Sequence, residues 1–241
     1  MFRHTGETRT LRHNLRIASL LSFVAGIVNV TGFLCVQRLT TNVTGHFAFL
    51  IDEVFKLNFV QGFVYFLYIL FFLLGSFVSG FIVELVYQKN KNYVYFFPAL
   101  LESIILFVVP FFGPLIYESP DTLACILLFA MGLQNSLVTS ISRSVVRTTH
   151  LTGLFTDLGI ELSQLFFFKQ KEDRDKLLSS IRLRLTIISF FFIGGVISGV
   201  FFPTFKLHIL TFAGMILILG VTFDYIKFGI LLARRKLTDK N

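Results

Sequence analysis

The sequence predicts an all-α integral membrane protein, with six transmembrane helices forming two inverted three-helix repeats. Each repeat is expected to carry a TTxxTG helix break and a short half-helix. Three observations predict this. The composition is too apolar for water, with 54% hydrophobic and 15% charged residues and a mean hydropathy of +0.76; soluble domains carry about 25% charged residues. Charge-poor runs recur at membrane-spanning length. The second half of the chain also repeats motifs of the first, in the same order. The 32 phenylalanines exceed what one core of 241 residues can hide, and lipid solvates the surplus.

A helix rises about 1.5 Å per residue, so roughly 20 apolar residues cross a hydrocarbon layer of about 30 Å. Residues 1–16 form a basic N-tail. The first crossing, 17–37, carries no charge and is longer than the apolar stretch of about 7–15 residues in a signal peptide. Part of it recurs later in the chain, so it is expected to be retained. The segment 46–57 is apolar but too short to cross. Crossings follow at 57–83 and 92–117, the latter interrupted only by Glu102. The second half offers 122–142, a short apolar segment at 154–168, then 185–205 and 207–233, with Asp224 and Lys227 near the far end. One membrane domain therefore fills the chain, with repeats at 17–117 and 121–233 and a tail at 234–241.

Lysine and arginine set the expected orientation, because cytoplasmic segments retain them. Four lie in the N-tail, two at Lys89 and Lys91, eight between 143 and 184, and four from Arg234 onward. The opposite side keeps only Arg38, Lys56 and Lys206. Both termini are expected in the cytoplasm and the protein in the cell (inner) membrane, with the lipid bilayer as its first partner. The basic residues form no single face, which argues against nucleic acid.

The repeat pairs FVAGIVN (23–29) with FAMGLQN (129–135), TTNVTG (40–45) with TTHLTG (148–153), Glu53 with Glu161, and GSFVSG (75–80) with GGVISG (194–199). A charged insert at 169–176 accounts for the wider spacing of the last match. Three crossings are an odd number, so the second repeat must enter the membrane from the opposite side. Inverted repeats recur in secondary transporters, where one half rocks against the other around a midplane site.

The strings AGIVNVTGF, TTNVTG, MGLQN and RTTHLTGLFTDLG resemble the YoaK family of bacterial membrane proteins, a domain of unknown function. The resemblance covers nearly the whole chain and implies a six-helix inner-membrane protein without an assigned activity. The family's first motif reads TGN, whereas His46 follows Gly45 here.

Candidate functional residues follow from the repeat. Thr40, Thr41, Thr44 and Gly45, with Thr148, Thr149, Thr152 and Gly153, read either as paired helix breaks framing a solute site or as capped turns at the membrane surface. Thr44 and Thr152 are placed to cap the short helices. Asn29 and Asn135 occupy matching mid-crossing positions, which allows them to approach one another across the pseudo-two-fold axis. With Gln134, Thr31 and Thr139 they line a solute path or serve as interhelical glue. Glu102 is a candidate for proton coupling, or a neutral acid bonded to a neighbouring helix. Asp157, Glu161 and Gln164 form one polar stripe, facing an inner vestibule or the interface. Arg147 fits the cytoplasmic bias; Arg38 does not, which marks it as an anion contact or a partner for Asp52 or Glu53.

Other classes find no support in the sequence. It contains no HExxH, GxSxG, P-loop or GxGxxG, so no enzyme is expected. Cys35 and Cys125 lie in apolar runs as small hydrophobes, and neither a metal nor a cofactor is expected. The small faces at Gly75, Ser76, Ser79 and Gly80 and at Gly194, Gly195, Ser198 and Gly199 suit close helix packing, within the chain or in a homo-oligomer. The expected function is a secondary transporter or permease for a small polar or anionic solute, with a non-transporting scaffold or sensor as the alternative.

Overall fold

Backbone amides and carbonyls in hydrocarbon must bond within their own segment, which leaves helices as the natural state of these apolar runs. The computed structural model describes residues 10–89, 93–112, 119–142, 145–167 and 170–238, and every element in them is helical. In chain order these are α1 (Leu11–Val36), α2 (Val43–Phe55), α3 (Phe59–Lys89), α4 (Phe96–Val108), α5 (Pro120–Ser142), α6 (Leu151–Gln164), α7 (Lys171–Phe205) and α8 (Ile209–Thr238). Short 3-10 turns follow α4 at Val109–Phe112 and α7 at Lys206–His208. The N-tail through residue 9, residues 113–117 of the third expected crossing, Arg143, and the tail from 239 lie outside the described residues, as do the side chains of Asp224 and Lys227.

Four helical stretches are long and apolar enough to cross a membrane: Leu11–Val36, Phe59–Lys89, Pro120–Ser142 and Glu172–Phe223. Phe96–Phe112 is apolar but shorter. The last long stretch covers nearly all of α7 and the first half of α8, joined at Lys206, whose φ of 48° and ψ of −128° break the helix. Large apolar side chains such as Phe55, Phe63, Phe77 and Phe192 stay exposed on the outer faces, as a lipid-solvated surface requires.

The core is built from two side-by-side helix pairs. α1 and α7 run in the same direction: Gly26 faces Phe191, Val30 faces Gly195, and the Thr31 and Ser198 hydroxyls bond at 2.8 Å. α3 and α5 also run in the same direction, with Tyr68 against Asp121, Gly75 against Phe129 and Gly80 against Ser136. Both contacts are backbone-close. A β-carbon on Gly26 would run into the Phe191 carbonyl, and one on Gly194 into that of Phe23. Gly132 and Gly75 stand in the same relation to the carbonyls of Phe72 and Phe129. Without a hydrophobic drive between helices in lipid, such approach is what makes packing favourable. α4 and α8 close the bundle in opposite directions, from Phe96 on Tyr225 through Leu106 on Gly214 to Phe111 on His208.

Candidate functional site

The threonine segments join each long helix to a short one. After α1, Gln37 turns left-handed (φ 54°) and donates its N–H to the Phe33 carbonyl. The chain then folds back onto α1. Thr40 becomes fully buried and donates to the Val28 carbonyl at 3.3 Å. Gly32 makes this approach feasible, since a β-carbon there would meet the Thr40 side chain. The Thr41 hydroxyl donates to Asn29 Oδ1 at 2.8 Å. The second segment repeats the pattern: Thr149 donates to Asn135 Oδ1 at the same 2.8 Å, and Asn135 Nδ2 donates to the Met131 carbonyl. Thr148 is fully buried and accepts from Gln134 Nε2 at 3.2 Å. That amide also donates to the Leu21 carbonyl of α1 at 2.8 Å, tying α5 to α1.

Three expectations are corrected here. Asn29 and Asn135 each bond a threonine of their own half, and among the described residues no hydrogen bond joins the two. Their amides are drawn sideways to the returning segment instead of across the bundle. Thr44 and Thr152 are exposed and cap nothing, because each already lies inside the first turn of its helix. Asn42 caps α2 instead, accepting from the Gly45 N–H at 3.0 Å. The matching position in α6 is His150, which makes no side-chain cap bond. Gly153 lies against it: a β-carbon there would meet the imidazole, which would have to turn aside. Third, Arg38 does not pair with Asp52 or Glu53. Lys56 takes Asp52, Asn58 Nδ2 donates to Glu53, and Arg38 turns toward α3 and α5.

Arg38 belongs to a closed polar knot at the first segment. Its Nε donates to the Tyr68 hydroxyl at 3.3 Å and lies 3.8 Å from Asp121 Oδ1, while the Tyr68 hydroxyl donates to Asp121. His46 is buried against Tyr68 edge-on, ring centroids 4.9 Å apart, and its Nε2 bonds the Leu39 carbonyl at 2.6 Å. Its Nδ1 is buried without a partner. Burial holds the His46 imidazole below its usual pKa; the Leu39 bond opposes this, and nearby Arg38 adds to it.

The second segment is open. A cavity of about 450 Å³ lies beside it, lined by Arg147, His150, Gly153, Asp157, Ser180 and Arg184 among others. Arg184 Nε and Nη2 clamp Glu161 at 2.8 and 2.9 Å, and Nη1 donates to Asp157 at 2.8 Å. Ser180 adds a 2.6 Å bond to Glu161. The Asp157–Glu161 stripe thus faces α7 and not solvent alone; Gln164 makes no bond to Arg184. Glu102 lies apart from both segments, fully buried in α4.

Sequence reasoning missed Tyr68, Asp121, Ser180 and Arg184. The repeat register held a usable signal. Arg184 and Tyr65 both lie ten residues before their small-residue motifs, and Asp157 and Phe49 both lie four residues after their TG glycines. Both pairs meet in space.

A model of the family described as Protein of unknown function (DUF1275) matches residues 17–223. The chain belongs to that family. It is 28% identical over 214 residues to the UPF0700 transmembrane protein YoaK of Bacillus subtilis (strain 168), covering 85% of this chain and 91% of that protein. The resemblance read from the TG and MGLQN motifs is thereby upheld, and the DUF1275 chain is a multi-pass membrane protein. No solved structure matches it.

Proposed function

We propose that this protein is a secondary transporter or permease for a small polar or anionic solute, built from two inverted three-span halves. In this reading α1, α3, α4, α5, α7 and α8 are the six spans, both termini are cytoplasmic, and α2 and α6 are half-helices entered through the TTxxTG breaks. The pairing geometry supports it. The first span of each half lies along the second span of the other half in the same direction, through matched glycines Gly26 with Gly194 and Gly132 with Gly75. An inverted duplication produces that exchange naturally.

One observation carries the functional reading: the two breaks differ in closure. The first break is shut by Arg38, Tyr68, Asp121 and His46, while the second opens into a charged cavity of about 450 Å³. A protein that alternates access is expected to be closed on one side and open on the other. Arg147 supplies a cation in that cavity with no carboxylate within salt-bridge distance among the described residues, which favours an anionic group on the solute.

Purified protein reconstituted in liposomes is expected to move at least one member of a panel of labelled small anions and zwitterions, and Arg147→Ala to raise the concentration for half-maximal flux. Silence of folded protein across the whole panel overturns the reading. A scaffold reading draws on a different observation, that the Asn29 and Asn135 amides are bonded internally by Thr41 and Thr149. It predicts a stoichiometric partner recovered by crosslinking and no flux.

A further inference from the structure

Glu102 is the one acidic residue that is buried among the described residues, and neither of its carboxyl oxygens has a hydrogen-bond partner. The titratable groups on the elements packed against it are not hydrogen-bonded to it among the described residues. On α4 itself, Ser103 donates to the Ala99 carbonyl at 2.8 Å, and Tyr93, just before the helix, stacks on Tyr225. α5 brings Asp121, which is bonded by Tyr68, and Cys125. α8 brings Tyr225 at its far end, with Asp224 and Lys227 on either side of it in sequence, and His208 precedes the helix against Phe111. α3 brings Glu84, Tyr87 and Lys89 in its last turns. Among the described residues none of these forms an ion pair or hydrogen bond with Glu102.

A carboxylate in that position would be a bare charge in a low-dielectric interior, which is strongly unfavourable. Neutralisation by a metal cation needs several oxygen ligands, and no group of three His, Cys, Asp or Glu occurs among the described residues. A proton needs only the carboxyl group itself.

We propose that Glu102 is a proton-binding site, occupied in this conformation and exchanging with water when α4 shifts against α8. The carboxylate takes its proton from water and returns it to water, with no other reactant. The seam between the two helices is suited to such a shift. Gly214 brings α8 so close that a β-carbon there would lie 2.9 Å from the Ser103 carbonyl, and an apolar cavity of about 330 Å³ flanks the contact, lined by Ser103, Phe107, Gly214 and Met215 among others. The site deepens the transport reading by naming the coupled ion. Coupling rests on that reading; the proton site does not.

The test is infrared spectroscopy of the full chain in lipid nanodiscs with no solute present. The wild-type spectrum is expected to contain a protonated-carboxyl C=O stretch at neutral pH that Glu102→Gln lacks and that moves to lower frequency in D2O. Absence of the band, or a band that stays in place after prolonged D2O exchange, overturns the proposal. If the Gln variant does not fold, wild-type protein with carboxyl-13C glutamate carries the same assignment, because Glu102 is the buried glutamate of the described residues. A folded protein that moves solute but shows no band overturns the proton site alone, and a band without flux in any solute overturns the transport reading alone, so the two failures are distinguishable.

Discussion

The two halves fasten their short helices by different chemistry at matching positions. α2 lies on α3 through rings: Phe49 stacks on Tyr65 with centroids 5.2 Å apart, and His46 meets Tyr68 edge-on at 4.9 Å. α6 lies on α7 through charge, Arg184 bridging Asp157 and Glu161. The closure of the first break has apolar counterparts in the second. Arg38, His46 and Tyr68 correspond in register to Val146, Leu154 and Ile187, all buried. What stays the same is the asparagine–threonine bond and the glycine contact. Those two features are common to both halves, whereas the fastenings of the short helices differ.

The glycine contact is the place to break that comparison hardest. Gly26→Ala and Gly132→Ala each force a β-carbon into a carbonyl of the neighbouring helix, and overpacking of this kind costs about 1–3 kcal/mol or more. Thermal unfolding in detergent is expected to show similar losses for both. Gly159→Ala is the control: nothing lies within 4 Å of its added carbon, so it should stabilise α6 by about 0.5–1 kcal/mol.

Next in size is the fastening itself. Arg184→Met leaves Asp157 and Glu161 without their cation; with Asp157 half-exposed and screened, a loss of about 1–2 kcal/mol is expected. Raising salt should weaken the wild-type α6–α7 contact and leave α2–α3 unchanged, since screening acts on ions and not on stacked rings. Phe49→Ala should cost the ring pair about 0.5–1.5 kcal/mol at any ionic strength. Hydrogen exchange of α2 and α6 separates the two.

Asn29→Ala and Asn135→Ala sharpen the shared part. Each removes one acceptor from a threonine, worth about 0.6 kcal/mol and up to ~1.7 in membrane helices, so the two unfolding midpoints should fall together. A drop confined to one half would mean the bonds are not equivalent.

The smallest effect at neutral pH belongs to His46→Leu, which installs the residue found at the matching position, Leu154. The folded imidazole sits below its usual value of 6.5. The unfolded chain therefore binds the extra proton first, and stability is lost as pH falls through about 6.5 and below. Acid unfolding curves should show this loss in wild type and not in the leucine variant.

The long helices were legible because hydrocarbon demands a fixed apolar length, and the runs met it. Their ends were not. α7 begins at Lys171, well before the expected crossing at 185, since its first turn carries Glu172 and Asp173 and Glu172 pairs with Lys176 at 2.8 Å. Acidic residues suit a helix start, and such pairs extend a helix that hydropathy cannot see. α4 ends near Val108, where Pro110 tightens the chain into a 3-10 turn. Within the site, asparagines and threonines were recognised, but their partners were not. Thr41 reaches Asn29 only because Gln37 turns left-handed, and Tyr68 reaches Asp121 only because α3 lies along α5. Such contacts are set by tertiary packing, and local sequence carries no trace of them.

The inverted arrangement is tested most directly by labelling from one side of the membrane. In a chain whose Cys35 and Cys125 are replaced by alanine, Lys56→Cys and Lys176→Cys place single thiols on exposed positions of the two halves. A membrane-impermeant maleimide is expected to label Lys56→Cys in intact cells and Lys176→Cys only after the membrane is opened. Labelling of both in intact cells, or of neither until lysis, would put the two halves in the same orientation and contradict the account.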